Sequence, residues 1–203
     1  TGVSFGNGEL AELAGRFDGL LVIDEAYAAF AGENAAELVR DYPNMVVTRS
    51  LSKSHGLAGL RVGYALAHPE VVGILERVRD SYNLDRLAQA GAAAALEDTG
   101  YTHAILKKVC NTRDYFRHQF LNRGWFTYPS ATNFLFTEPV DKAGRSGPEV
   151  ARGLFDYLRG RRILVRYFPK HALTASFVRI SVGTEDDMEQ LSDALDQWQQ
   201  SPA

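Results

Sequence analysis

The stretch VVTRSLSKSHGLAGLRVGYALA, residues 46–67, decides how the first half of the chain folds. Its two ends are apolar runs that we expect to be buried strands, and between them lie serines, a lysine, three glycines and an arginine. A surface turn does not require a lysine at the mouth of an apolar core, whereas a site that binds a phosphate and uses an amine does. The stretch therefore predicts a functional site between two strands.

Apolar runs alternate with helical patterns on both sides of this stretch. Strands are predicted at residues 20–23, 45–48 and 61–67, and helices at residues 7–17, 34–41, 69–82, 84–97 and 101–122. This alternation predicts an α/β fold with a mostly parallel sheet flanked by helices. Ligands of such sheets sit beyond the carboxyl ends of the strands, so Asp24 and the segment Ser50–Lys53 should share one crevice.

The regular alternation of buried strands and helices does not continue in the second half of the chain. Strands are predicted at residues 132–137, 161–168 and 176–182, with a capping box at Ser146–Glu149 opening one helix and Thr184 capping the last. This half is predicted to be a small α+β unit. We therefore expect two domains, residues 1–98 and residues 99–203, with the helix at 101–122 as the connection.

Composition excludes several classes of protein. A net charge of −3 over 203 residues gives no reason to expect a nucleic-acid partner. The single cysteine, Cys110, excludes a disulfide within the chain and fits a reducing, cytoplasmic location. The five histidines lack ligand spacing and no apolar run reaches membrane length, so we predict neither a metal site nor a membrane partner.

Lys53 is the candidate nucleophile. An amine attacks a carbonyl only when it is neutral, and burial or nearby positive charge favours the neutral form. We expect the apolar strands to bury Lys53 and Arg61 to lie beside it. The alternative is a lysine in a solvated loop, and the residue alone does not decide between the two.

The neighbours of Lys53 favour a phosphate site that also holds a pyridine ring. Ser50, Ser52 and Arg61 offer the hydroxyl and guanidinium donors that a phosphate monoester requires. Asp24 could keep a pyridine nitrogen protonated, and Tyr27 could donate to a ring oxygen. The alternative for the serines and Arg61 is a polar turn with a structural arginine, and the alternative for Asp24 is a strand-end or helix-cap carboxylate. The segment LLVIDE also resembles the acidic strand of P-loop ATPases, but such a protein would need a Gly-Lys pair that the sequence lacks.

The segments DEAY, SLSKSHGLAGLRVGYALA and FVRISVGT resemble the fold type I pyridoxal-phosphate aminotransferases, and the histidinol-phosphate aminotransferase branch most closely. The resemblance implies pyridoxal 5′-phosphate as cofactor and Lys53 as the Schiff-base lysine that also moves the substrate proton. It implies further cofactor contacts at Asp24, Tyr27, Ser50, Ser52 and Arg61.

The same resemblance implies where the substrate binds. Arg179, within FVRISVGT, would bind the substrate carboxylate or the phosphate of histidinol phosphate, and Arg166 would be a second anion contact. For Arg166 a solvent-facing strand residue is the alternative. Asn133 also fits the family pattern, without an assigned role.

The activity implied is transamination between glutamate, or its 2-oxo acid, and histidinol phosphate in histidine biosynthesis, by an enzyme that is usually a homodimer. An aromatic aminotransferase, a threonine-phosphate decarboxylase and a non-catalytic ligand-sensing module stay open. The opening Thr1-Gly2 resembles the end of the family's Pro-Asn-x-Pro-Thr-Gly segment. We therefore expect an N-terminal part of the enzyme to be absent, and this chain to need either a complementary N-terminal chain or a self-associated state; whether it is active alone stays open.

Overall fold

The computed structural model describes residues 1–200, which form two compact units. The first unit is Ser4–Lys108, and the second combines Thr1–Val3 with the chain from Val109 onward. The division falls inside a long helix, at whose start the sequence places the domain boundary. None of the helices within residues 1–200 is long and apolar enough to cross a membrane.

The first unit has the predicted α/β fold. Its strands are β1 (Leu21–Asp24), β2 (Met45–Ser50) and β3 (Gly63–Ala67). Its helices are α1 (Asn7–Arg16), α2 (Leu51–Ser54), α3 (Pro69–Val78) and α4 (Arg86–Glu97), followed by α5 (Thr99–Asn122), which enters the second unit. The helix predicted at residues 34–41 is instead a short 3₁₀ helix, Ala36–Arg40, which ends before Pro43 as expected.

The three strands are ordered β1-β2-β3, and only the first pair is parallel. Strand β3 runs antiparallel to β2 and begins at the edge where β2 ends, with Gly63 opposite Ser50. A Cβ atom at Gly63 would lie 2.7 Å from the carbonyl oxygen of Arg49, so only glycine allows this pairing. The residues that precede β3 therefore lie at the carboxyl edge of β1 and β2.

One face of this sheet carries the core of the unit. Met45 and Val47 are fully buried there and pack with Ala14 and Ala35. The other face is open at β1, where Val22 is 59% exposed, but is covered at Val46, which is 7% exposed. Because side chains alternate along a strand, each strand end presents one residue to the core side and the next to the open side.

The second unit is α+β, with a four-stranded antiparallel sheet in the order β4-β5-β7-β6. The strands are β4 (Phe126–Thr127), β5 (Phe134–Glu138), β6 (Arg166–Tyr167) and β7 (Val178–Ser181), and the helices are α6 (Pro148–Gly160) and α7 (Glu185–Gln200). One face of the sheet packs against the helices. This core includes Trp125, Leu135, Leu154, Ile180 and Leu195.

Two local predictions in this unit are wrong and one is confirmed. The strand predicted at residues 161–168 shrinks to β6, because Arg161 and Arg162 form a turn after α6, with Arg162 left-handed (φ 63°), and strand pairing begins only at Arg166. The capping box at Ser146 does not form, since α6 begins at Pro148 after a Gly147 with φ of 116°. Thr184 does cap α7, where its hydroxyl accepts from the Asp187 amide at 3.2 Å.

Candidate active site

Asp24 and Ser50 lie at the same edge and on the same face of the first sheet. Each ends one strand of the parallel pair, and Asp24 is opposite Thr48, two residues before Ser50. From the usual strand spacing and rise, the two Cα atoms lie roughly 8 Å apart. The strand register thus brings Asp24 and Ser50 close together at one edge, and a crevice shared with Lys53 stays a prediction.

Helix α2 follows Ser50 directly and carries Lys53. It is a single turn, capped by the Ser50 hydroxyl, which accepts from the Ser52 amide at 3.1 Å. Arg61 precedes β3 and reaches the same edge only because β3 is antiparallel. It has a left-handed backbone (φ 55°, ψ 38°), uncommon for a residue other than glycine, and Nη1 donates to the Ala58 carbonyl at 2.9 Å.

The expected burial of Lys53 is wrong for this chain. Lys53 is exposed, as are Asp24 and Arg61. In the single turn of α2 the buried position belongs to Leu51, which is 2% exposed and packs with Val62. Lys53 is two residues further on and so lies on another side of the helix, beyond the cover of the strands.

The segment after Asp24 is locally ordered. One carboxylate oxygen of Asp24 accepts from the amide of Ala26 at 3.0 Å, which starts the turn. Tyr27 is half-buried and precedes a 3₁₀ helix, Ala28–Phe30, whose last side chain is 5% exposed. Tyr27 is therefore held on a short anchored loop that starts at the candidate site.

Sequence reasoning missed an ion pair directly behind this edge. Arg49 donates to one oxygen of Glu25 from Nε at 3.0 Å and from Nη2 at 2.7 Å, and the Glu25 side chain is 8% exposed. Burial opposes the charge of Arg49, but hydrogen bonds to Glu25 and Tyr64 outweigh it and raise the arginine pKa. The sequence contains a sign of this pair, because two polar residues are adjacent at the end of each strand, Asp24-Glu25 and Arg49-Ser50. Since neighbouring side chains alternate between the two faces, one residue of each pair must face the core side.

The two predicted substrate arginines form a pair in the second unit. Arg166 on β6 lies directly opposite Arg179 on β7, so both side chains leave the same face of the sheet. The Arg179 guanidinium carbon is 4.8 Å from the ring centre of Phe134 and 5.7 Å from that of Phe168. Its Nε is buried and has no hydrogen-bond partner within residues 1–200.

Arg179 opens into a cavity of about 550 Å³ on this face of the second unit. Besides the aromatic rings, Lys170 and His171 line it, and neither residue was identified from the sequence. The His171 Nδ1 accepts from the Leu173 amide at 3.2 Å, which leaves Nε2 as the protonated ring nitrogen in the neutral form. Asn133, in contrast, contributes its backbone carbonyl, which accepts from Val182 at 2.9 Å.

This cavity combines positive charge with an unsatisfied buried donor. Like charges directly opposite each other across a sheet are unfavourable, and a buried donor without a partner costs free energy. Arg166 is exposed and does not line the cavity, whereas an anion beside Arg179 would supply the missing partner of its Nε and offset part of the repulsion. The cavity is therefore suited to a ligand with an anionic group beside an apolar or aromatic part.

Comparison with known proteins places the chain in a family. Residues 1–195 match the family model described as aminotransferase class I and II. The chain is 50% identical over 194 residues to histidinol-phosphate aminotransferase from Geotalea uraniireducens and 50% identical over 186 residues to that from Syntrophotalea carbinolica. These alignments cover 96% and 92% of this chain but 54% and 51% of the relatives, so the chain spans about half their length.

A solved structure agrees with this assignment. Histidinol-phosphate aminotransferase from Sinorhizobium meliloti, in complex with pyridoxal-5′-phosphate, superposes with a TM-score of 0.87 at 30% identity. The superposition covers all of this chain and 55% of that one. With nearly its whole length matched by the family model, the chain belongs to the class I and II aminotransferases.

Proposed function

We propose that this chain is part of an enzyme that transfers an amino group between histidinol phosphate and 2-oxoglutarate, with pyridoxal 5′-phosphate as cofactor. The names of its relatives support the reaction. The structural observation that carries the proposal is the strand register. It brings Asp24, Ser50 and the segments that hold Lys53 and Arg61 to one edge of one sheet.

The residues at this edge fit the cofactor chemically. Two serine hydroxyls and the Arg61 guanidinium are suitable donors for a phosphate dianion. The Asp24 carboxylate is a suitable partner for a protonated ring nitrogen, and the Tyr27 phenol for the ring oxygen. When bound, the cofactor supplies an electron sink that stabilises negative charge at the substrate carbon.

The chain's own residues then have distinct tasks. Lys53 would hold the cofactor through Nζ and would carry the proton of the substrate carbon that bears the amino group. Asp24 would keep the ring nitrogen protonated. Arg179, with Arg166, binds the anionic end of the substrate, and we add Lys170 and His171 as further contacts for a doubly charged phosphate.

Lys53 needs a drier environment than this chain alone gives it. We propose that the cofactor, the substrate and further protein cover the exposed edge in the working enzyme. A homodimer would supply part of that cover, and we propose this assembly together with the two domains at residues 1–98 and 99–203. The lone cysteine supports a reducing cytoplasmic location.

Reductive trapping tests the assignment. The chain is incubated with pyridoxal phosphate, reduced with borohydride and digested, and the modified peptide is identified by mass. We expect the adduct on Lys53, its loss in Lys53→Ala and its retention in the control Lys107→Ala. A second step adds histidinol phosphate and 2-oxoglutarate and follows glutamate formation.

The outcomes separate the alternatives. An adduct on Lys53 with glutamate formation supports the aminotransferase. An adduct without turnover, even when an N-terminal part of a relative is added, would favour a ligand-sensing module. An adduct spread over surface lysines, unchanged in Lys53→Ala, would refute the site.

A further inference from the structure

The Glu25–Arg49 pair lies on the opposite side of the sheet from the candidate cofactor residues. Asp24 and Ser50 face the open side at the strand ends, and their neighbours Glu25 and Arg49 face the core side. The Glu25 amide also donates to the Thr48 carbonyl at 2.8 Å, which extends the β1–β2 pairing by one residue. The ion pair is thus fixed to both strand ends that carry the site.

The pair also closes the loop that begins at Asp24. The second oxygen of Glu25 accepts from the Ala35 amide at 2.5 Å, and Arg49 Nη2 donates to the Asn34 side-chain oxygen at 2.6 Å. Ala35 is fully buried and packs in the cluster that contains Met45. Both ends of the loop are therefore tied to the strand ends by charge-assisted hydrogen bonds.

Tyr27 is carried on this loop, between its two tied ends. A loop that is free in solution must lose conformational entropy when a ligand orders it, and this loss reduces the affinity. Glu25 accepts three hydrogen bonds and is nearly inaccessible, which is a costly arrangement unless every bond is kept. The network is therefore sensitive to any change that removes one partner.

We propose that Glu25 and Arg49 are positioning residues for the cofactor site, which hold Tyr27 and Asp24 in their binding arrangement before the cofactor arrives. This rests on the proposed function, because a cofactor must bind at this edge for the positioning to matter. Neither residue touches the cofactor in this role. If the loop of a variant holds the binding arrangement about one tenth of the time, the apparent cofactor affinity falls about tenfold.

The test uses a variant without an unpaired buried charge. The double variant Glu25→Gln/Arg49→Gln replaces the pair by two neutral amides, of matching shape at position 25 and shorter at position 49, whereas Arg49→Gln alone leaves an unpaired buried carboxylate and destabilises the unit. Arg49→Lys keeps the charge but loses the two-donor contact and should have an intermediate effect. The control Arg16→Gln removes an exposed ion pair with Glu12 from the same unit.

Two measurements are made on each folded variant. Hydrogen exchange of residues 26–34 without cofactor reports how firmly the loop is held. Titration with pyridoxal phosphate, followed by absorbance across pH, reports the affinity and the titration midpoint of the bound cofactor. We expect faster exchange, about tenfold weaker binding and a shifted midpoint in the double variant, and none of these in Arg16→Gln.

Each result decides the proposal. Unchanged exchange in the double variant overturns it, and so does faster exchange with unchanged affinity and midpoint, since the pair would then serve stability alone. If the unaltered chain binds no pyridoxal phosphate, the proposed function fails for this chain. In that case the exchange rates alone support or overturn the claim that the pair holds the loop.

Discussion

Removing the charge of Arg166 should stabilise the second unit in the absence of anions. The guanidinium groups of Arg166 and Arg179 extend from directly opposed residues of β6 and β7. If the charges were as close as the roughly 5.5 Å between opposed Cβ atoms, they would repel by about 0.75 kcal/mol in water and about 3 kcal/mol at an effective dielectric constant of 20. Because Arg166 is exposed, the lower value applies, and long side chains that diverge reduce it further.

We therefore expect Arg166→Gln to raise the free energy of unfolding by about 0.5 kcal/mol at low salt, within the range of cross-strand pairs. In about 1 M salt, where the screening length is about 3 Å, the gain should disappear. Arg166→Lys keeps the charge and is the matched control, so it should gain nothing. Both tryptophans of the chain, Trp125 and Trp198, lie in this unit, so urea unfolding followed by tryptophan fluorescence reports on it alone.

The same variant should bind anions less well. A hydrogen bond to a charged group contributes about 1.5–3 kcal/mol, so the affinity for phenyl phosphate should fall at least tenfold. Added phenyl phosphate, at constant ionic strength, should then stabilise the unaltered chain more than Arg166→Gln. The reasoning is refuted if Arg166→Gln is no more stable than Arg166→Lys at low salt, or if phenyl phosphate stabilises both equally.

Three further perturbations test other parts of the structure. Arg61→Ala should weaken pyridoxal phosphate binding by about 1.5–3 kcal/mol, measured by absorbance titration, and unchanged affinity would limit Arg61 to a structural role. The Asp187 carboxylate accepts hydrogen bonds from the hydroxyl and the amide of Thr184, and these bonds lower the Asp187 pKa. The stability that Asp187 contributes is therefore fully present above the usual carboxyl pKa and is lost as the pH falls through the lowered pKa. Asp187→Asn should therefore reduce the loss of stability on acidification, and an unchanged acid limb in urea unfolding would contradict this. Leu154→Ala should lower the free energy of unfolding by about 2–5 kcal/mol, because the Leu154 side chain is fully buried. The control Leu164→Ala, at a position that is 84% exposed, should change it by less than about 0.5 kcal/mol. Similar effects at both sites would refute the assigned core.

The elements that could be predicted from the sequence are those whose physical cause lies in a local run of residues. Runs such as Leu-Val-Ile before Asp24 are buried wherever they pair, so their strand character and their polar ends are visible in the sequence alone. The position of Asp24 and Ser50 at the strand ends followed from this. The helix capped by Thr184 was equally predictable, because the cap is a local interaction.

What could not be predicted depends on the partner of each residue. The apolar pattern of a strand is the same whether the strand pairs parallel or antiparallel. The sequence therefore does not show that β3 is antiparallel to β2, which is what brings Arg61 to the edge. Lys53 was expected to be buried because its neighbours are apolar, but Leu51 takes the inward position of the single turn. The Glu25–Arg49 pair joins residues 24 positions apart, and only the strand register shows that they meet.

The two connections in the first sheet differ in length, which has a consequence for how the site assembles during folding. The segment Leu51–Val62 joins the antiparallel strands β2 and β3, whereas the longer segment Glu25–Asn44 must close before the parallel partner β1 can dock. Shorter closures cost less chain entropy and form sooner. We expect the residues suited to the phosphate group to be in place first and Asp24 to join them later. Pulse-labelling exchange that protects β1 amides before those of β3 would show the opposite order.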